Sequence, residues 1–187
     1  MPVAEAIANR PPDPGEVAAL RRRSPVDHAR RIRPLIPSDR EQILQILELT
    51  EVFSPEELAI ARELIDTVLT QPDQQDYRIH VYDDGGTVLG YTCIGPTPGT
   101  EGTFDLYWIA VHPALHGSGV GRALDAHIDT TIRSQGGRLV IAETSSRPEY
   151  EATRAFYRGR GYDERARIPS YYRPGDDLIV YVKYLHS

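Results

Sequence analysis

The sequence predicts an α/β (α+β) fold of about seven strands and about four helices. Two observations predict it. Apolar segments with strand-like and helix-like spacing follow one another as strand, two helices, three strands, helix, strand, helix and a final pair of strands. A glycine-rich turn, Leu115-His116-Gly117-Ser118-Gly119-Val120-Gly121-Arg122-Ala123-Leu124, joins the fourth strand to the third helix.

Arg31-Ile32-Arg33-Pro34-Leu35 reads as the first strand. Ser38-Asp39-Arg40-Glu41 fits a capping box, and Ile43, Ile46 and Leu47 then share one helix face. Ser54-Pro55-Glu56-Glu57 fits a second box with proline at the first helical position. Leu58, Ala61, Ile65 and Val68 give that helix its apolar stripe, and Pro72-Asp73 ends it. Tyr77–Tyr82 and Thr87–Ile94 are strands joined by Asp83-Asp84-Gly85-Gly86, a hairpin turn. Thr103–Val111, rich in aromatic and branched residues, is the fourth strand. Val120, Leu124, Ile128 and Ile132 recur every four residues and mark a helix running to about Ser134, stopped by Gly136-Gly137. Leu139–Thr144 is a compact strand. A helix across Tyr150–Arg160 stops at Gly161. The last pair of strands lies in Arg165–Leu185, around the turn Pro174-Gly175-Asp176-Asp177.

Residues 1–30 are rich in Pro, Ala and Arg, with a break at Pro11-Pro12-Asp13-Pro14-Gly15 and a short helix over Glu16–Arg23. Too few apolar residues stand there for a core, so they are expected as a flexible or loosely docked N-terminal extension, with 31–187 as a single domain. A chain of 187 residues can bury a sizeable core. Its net charge of −6 argues against a nucleic-acid partner. One cysteine, Cys93, precludes an intrachain disulfide and a cysteine-built metal cluster; its place in a strand suits a buried small hydrophobe. No apolar run reaches membrane-spanning length and no secretory apolar core opens the chain, so the sequence is read as cytoplasmic, without a membrane partner.

At a strand–turn–helix junction the first helical amides have no partner within the helix. Glycines admit a ligand close to them, and the helix dipole favours an anion. The spacing narrows the choice. A P-loop ends in Gly-Lys-Ser/Thr, but here stands Gly121-Arg122-Ala123. Gly-x-Gly-x-x-Gly fails from Gly117, which requires glycine at Arg122, and from Gly119, which requires it at Leu124. Gln/Arg-x-x-Gly-x-Gly/Ala fits, with His116 in the first position as a donor. On this loop, and on the element order over residues 32–185, the chain resembles the GNAT superfamily of acyl-CoA-dependent N-acyltransferases.

The resemblance implies the GNAT fold, a mixed central sheet splayed between its fourth and fifth strands. It implies acetyl-CoA as co-substrate and no metal. The pantetheine amides would pair with the backbone of Ile109, Ala110 and Val111, and the pyrophosphate would sit on His116, Gly117, Ser118, Gly119, Val120, Gly121, Arg122 and Ala123. The segment from Tyr150 to Tyr162 resembles the family's Asn-x-x-Ala-x-x-x-Tyr-x-x-x-Gly-Phe, with Tyr150 and Thr153 standing at the asparagine and alanine as cofactor-side positions. Its tyrosine, Tyr157, would protonate the departing thiolate, a role that a phenol of pKa about 10 can fill. Asp105 stands where the family often carries a glutamate base. It is one methylene shorter, which suits a water relay, and Glu143 on the neighbouring strand is the rival base. Arg122, Arg154, Arg158 and Arg160 are candidates for the coenzyme A phosphates. Cys93 falls outside every motif, so transfer is expected to be direct, in a ternary complex.

The acceptor would be a small-molecule amine or a protein N-terminal or lysine amine, bordered by Glu51–Ile60 and Ile168–Asp177 and attracted by Glu56, Glu57, Asp176 or Asp177. Ser170-Tyr171-Tyr172-Arg173 bears a short likeness to protein N-terminal acetyltransferases. Homodimers are common in the family. The alternative is a non-catalytic acyl-CoA sensor or partner-binding module on the same fold, which would need neither Tyr157 nor Asp105.

Overall fold

A computed structural model describes residues 14–185. Its strands are β1 (Ile32–Pro34), β2 (Arg78–Asp84), β3 (Thr87–Pro96), β4 (Thr103–Val111), β5 (Leu139–Ser145), β6 (Asp163–Arg173) and β7 (Asp176–Tyr184). They form one mixed sheet in the order β1-β2-β3-β4-β5-β7-β6. The helices are α1 (Pro14–Arg21), α2 (Pro25–Ala29), α3 (Arg40–Leu49), α4 (Pro55–Thr70), α5 (Val120–Ser134) and α6 (Glu151–Gly159). Among the described residues no helix is long and apolar enough to cross a membrane.

The chain divides into two compact units. The first joins Met1–Cys93 to Trp108–Ile128. Its core sets Ile43, Ile46 and Leu47 of α3 and Ala61, Leu64 and Ile65 of α4 against Ile79, Val81, Tyr91 and Cys93 of the strands. Gly85 and Gly86 both take positive φ, 69° and 94°, which the two-residue turn between β2 and β3 requires. The Gly86 amide donates to Asp83 Oδ1 at 2.7 Å. Ser54 caps α4 as its sequence foretells: its Oγ accepts from the Glu57 amide, and the Glu57 carboxylate accepts from the Ser54 amide at 2.7 Å.

The box at Ser38 does not form. A short 3₁₀ turn, Pro37–Asp39, precedes α3, and Asp39 is buried. Its carboxylate is gripped bidentately by Arg33 at 2.7 and 2.9 Å and accepts from the Ile36 amide. Glu41, the expected partner in the box, pairs with Arg40 instead. The charge-assisted pair from β1 holds the 3₁₀ turn, so Asp39 and not Ser38 stands at the N-cap of α3.

Residues 1–13 of the expected extension, most of the proline break included, lie outside the described residues. In the part that is described, α1 covers most of the helix expected over Glu16–Arg23, and α2 follows it as a second short helix. Leu20 is buried in a cluster with Tyr82, Leu115, Val120 and Leu124, so this stretch supplies apolar surface to a core.

The second unit joins Ile94–Tyr107 to Asp129–Ser187. Here β4 and β5 run parallel, paired from Thr103↔Leu139 to Leu106↔Ala142, while β4 itself continues to Val111 and β5 to Ser145. β5 pairs antiparallel with β7 along its length, and β7 with β6. β6 is the edge strand, exposed throughout, with a register irregularity between Ile168 and Arg173.

Candidate active site

The glycine-rich turn lies in the first unit. The His112 amide donates to Leu89 O at 3.0 Å where β4 ends, and Pro113–Leu115 forms a 3₁₀ turn. The Ser118 amide folds back onto Leu115 O, and the Ala123 amide onto Gly119 O, each at 3.0 Å. Helical hydrogen bonding therefore begins with the Ala123 amide, which leaves the amides of Val120, Gly121 and Arg122 ahead of the first intrahelical donor. Gly117 and Gly119 take φ of 75° and 100°, a region where only glycine sits without strain. Ser118 is buried, and its Oγ finds no hydrogen-bond partner among the described residues. Unsatisfied amides, an orphaned buried hydroxyl and two side-chain-free positions fit an anion with several oxygens.

His116, expected as a donor to that anion, is exposed and sets its Nε2 3.2 Å from Val111 O, so the ring braces the turn against the strand end. Ala110 is buried, and Ile109 and Val111 are half-buried. β3 passes so close to this strand that a Cβ on Gly90 would lie 2.7 Å from Ala110 O. Arg122 is exposed at the start of α5.

The second unit holds the titratable residues. Asp105 and Ile141 are partners in the parallel ladder, and Glu143 follows Ile141 by two residues, so both carboxylates stand on one sheet face. Asp105 accepts from Thr97 Oγ1 at 2.9 Å, a contact the sequence did not reveal. The Glu143 carboxyl, though exposed, is pushed above its ordinary pKa, first by partial desolvation and then by the neighbouring Asp105.

Tyr157 lies on the other face. Its ring is 5.5 Å from that of Tyr181, the cross-strand partner of Ala142, and 5.2 Å from that of Tyr162. It is buried near the end of α6, where the Arg160 and Tyr162 amides both donate to Tyr157 O at 3.0 Å and Gly161 turns the chain with φ of 83°. Tyr150, also buried, lies at the start of α6 with the Arg147 guanidinium 5.1 Å from its ring centroid; Thr153 is half-buried.

Arg154 and Arg158 are committed within this unit. Arg154 is buried, and its Nη1 donates to Ser145 O at 2.7 Å and Arg147 O at 2.8 Å, while Glu151 takes the rest of its fork. Arg158 pairs with Glu151 and donates to Tyr181 Oη. Arg154 is thus a clamp between α6 and the end of β5 and not a phosphate ligand; no local sequence signal separates the two roles. Three of the four acidic residues expected near the acceptor have internal work: Glu57 caps α4, Asp176 accepts from Ser145 Oγ at 2.5 Å, and Asp177 pairs with Arg167 and accepts from the Ser170 amide. Tyr171 and Tyr172 are exposed on β6, ring to ring at 5.0 Å. Cys93 is wholly buried, and burial pushes its thiol up to about 12, where it is no nucleophile at neutral pH.

The family model of the acetyltransferase (GNAT) domain matches residues 75–164. No curated protein matches the sequence. Among solved structures, one from Desulfovibrio desulfuricans, described as an acetyltransferase of the GNAT family, is 41% identical and superposes with a TM-score of 0.80 over 83% of this chain and 98% of its own. An aminoglycoside 6'-N-acetyltransferase complexed with coenzyme A is 17% identical, with a TM-score of 0.66 over 83% of this chain and 97% of its own. The ribosomal-protein-S18-alanine N-acetyltransferase of Escherichia coli is 19% identical, also at 0.66, over 83% and 94%. The last two share the fold. The identity and coverage of the first carry the assignment: this chain belongs to the GNAT acetyltransferase family, with a mixed seven-stranded sheet whose β4 and β5 are parallel.

Proposed function

We propose that the protein transfers an acetyl group from acetyl-CoA to a primary amine by direct attack in a ternary complex. One observation carries the chemistry: a carboxylate pair, Asp105 and Glu143, and a buried phenol, Tyr157, stand on opposite faces of the same sheet. Direct transfer needs a proton taken from the incoming ammonium on one side and a proton given to the departing thiolate on the other. Acetyl-CoA supplies the activated thioester. Glu143 is the base, since its raised pKa improves it as a proton acceptor while Asp105, held by Thr97, supplies the charge that helps to raise it. Tyr157 is the acid. The amides of Val120, Gly121 and Arg122, with Ser118 Oγ, hold the diphosphate; the backbone of Ile109–Val111 pairs with the pantetheine arm. The buried, protonated Cys93 speaks against an acyl-cysteine intermediate.

A primary-amine acceptor is supported by the names of two proteins of this fold, an aminoglycoside 6'-N-acetyltransferase and a ribosomal-protein-S18-alanine N-acetyltransferase. The test is thiol release from acetyl-CoA over a panel of aminoglycosides, polyamines, amino acids and peptides with free N-termini. Turnover with at least one amine, and acetyl found on its nitrogen, is the expected result. Coenzyme A binding without turnover on any of them overturns the proposal in favour of an acyl-CoA sensor, and an isolated thioester on Cys93 overturns direct transfer.

A further inference from the structure

We propose that Arg21, at the end of α1, is a ligand of the coenzyme A diphosphate, which brings the N-terminal segment to the cofactor site through this one side chain. The inference rests on the proposed use of coenzyme A and extends it to a segment that the family's loop motif does not include.

Three nitrogen-bearing side chains converge on the two positive-φ glycines of the turn. A Cβ on Gly117 would lie 3.8 Å from Arg21 Nη2; one on Gly119 would lie 3.2 Å from His28 Nε2 and 3.9 Å from Arg122 Nη2. The arginines of the N-terminal segment divide into two kinds. Arg23 and Arg31 both pair with Asp84 of β2, and Arg23 also donates to Tyr82 Oη at 3.2 Å. They fasten the segment to the sheet. Among the described residues Arg21 and Arg122 enter no ion pair and no side-chain hydrogen bond, and both stand at the turn. The anchoring is specific to this place. Leu20, next to Arg21 in sequence, is 3% exposed and packs with Leu115 and Val120, the residues that bracket the turn.

His28 is fixed beside them. Its Nδ1 lies 2.8 Å from Tyr82 Oη. Arg23 also donates to that oxygen, and the other ring nitrogen, Nε2, is the one near Gly119. Burial, and after it the charges of Arg23 and Arg122, hold the imidazole below its ordinary pKa and so neutral. A guanidinium beside a turn of open amides, with a buried imidazole alongside, is suited to the oxygens of a diphosphate.

Calorimetry on the full chain tests this with three probes: coenzyme A; dephospho-coenzyme A, which keeps the diphosphate but lacks the 3′-phosphate; and pantetheine, which lacks both. Arg21→Ala is expected to weaken coenzyme A and dephospho-coenzyme A alike, by about tenfold for one charge-assisted contact. It leaves pantetheine affinity and the melting temperature of the free protein at wild-type values. Arg21→Lys recovers part of the loss, and Arg22→Ala, an exposed arginine one residue on, binds all three as wild type does. The proposal is overturned if Arg21→Ala binds coenzyme A unchanged, if the loss is confined to coenzyme A and so belongs to the 3′-phosphate, or if pantetheine weakens equally. A wild-type chain that fails to bind coenzyme A sinks the proposed function together with this inference, whereas a wild type that binds and an Arg21→Ala that binds equally sinks this inference alone.

Discussion

Glu143 and Tyr157 face away from each other across β5. Glu143 shares its sheet face with Asp105, while the Tyr157 ring packs on Tyr181, whose cross-strand partner Ala142 immediately precedes Glu143. One residue step along a strand thus separates the face of the carboxylates from the face of the phenol.

If Tyr157 gives the proton to the thiolate, Tyr157→Phe keeps the ring contacts with Tyr162 and Tyr181 and loses only the donor. Turnover at saturating substrate is expected to fall on the order of 100-fold, with the coenzyme A dissociation constant unchanged. Steady-state kinetics paired with calorimetry reads both quantities; wild-type turnover would remove Tyr157 from the chemistry.

If Glu143 is the base, its raised pKa sets the acid limb of the rate profile. Activity should fall as pH drops through a value above the ordinary carboxylate range, because the protonated carboxyl no longer accepts the ammonium proton. Glu143→Gln abolishes that limb together with most of kcat/KM. Asp105→Asn removes the neighbouring negative charge, so it shifts the limb to lower pH. A limb that stays fixed in Asp105→Asn contradicts the coupling.

Gly90 has no room for a side chain. A methyl group there would stand 2.7 Å from Ala110 O, so Gly90→Ala must push β3 from β4. A cost of about 1–3 kcal/mol is expected in urea unfolding. The same displacement reaches the Ala110 backbone, so a weaker fit for the pantetheine arm should accompany it.

Arg154→Met removes a buried clamp and leaves the carbonyls of Ser145 and Arg147 without their donor. Roughly 2–4 kcal/mol of stability should be lost. Because α6 also carries Tyr157, turnover is expected to fall as well, although no phosphate contact is lost. Denaturant melts together with coenzyme A titration separate the two effects.

His80 and His127 pack edge to face, 4.5 Å between ring centroids. Burial, then the nearby His127 and Arg78, lowers the His80 pKa from 6.5 to about 4. The folded chain therefore binds fewer protons than the unfolded chain between those values. Stability has its full value above about pH 6.5 and declines as pH falls towards about 4, by up to about 3 kcal/mol. Unfolding curves at pH 7.5 and 4.5 measure the decline, which His80→Phe should reduce.

Local features were legible in the sequence and contacts brought in from a distance were not. The Ser54 box, the Gly85-Gly86 turn, the buried stripe from Val120 to Ile132 and the turn at Gly117–Gly119 each depend on neighbours within a few residues. The Ser38 box fails because Pro37–Asp39 turns as a 3₁₀ helix, pinned by Asp39 to the Ile36 amide and to Arg33 of another element, which puts Asp39 at the N-cap position. Arg154 reads as a free cation until the fold supplies carbonyls from the end of β5. Thr97 is unremarkable in sequence until β3 and β4 set it against Asp105. The N-terminal segment looked too polar to pack, yet a single leucine, Leu20, and the pairs that Arg23 and Arg31 make with Asp84 fasten it to residues more than fifty positions away.

The outermost ribbon, β6, has a bearing on how the molecule behaves at high concentration. Pro169 offers no amide, and the register breaks beyond Ile168. Arg165, Arg167 and Arg173 line the same margin, each in an ion pair with a carboxylate of Asp163, Glu164, Asp176 or Asp177. An extended chain arriving from another molecule would meet a gap midway and hydrated ion pairs on either side of it, so the border resists growing into a fibril even though Tyr171 and Tyr172 stay open to water.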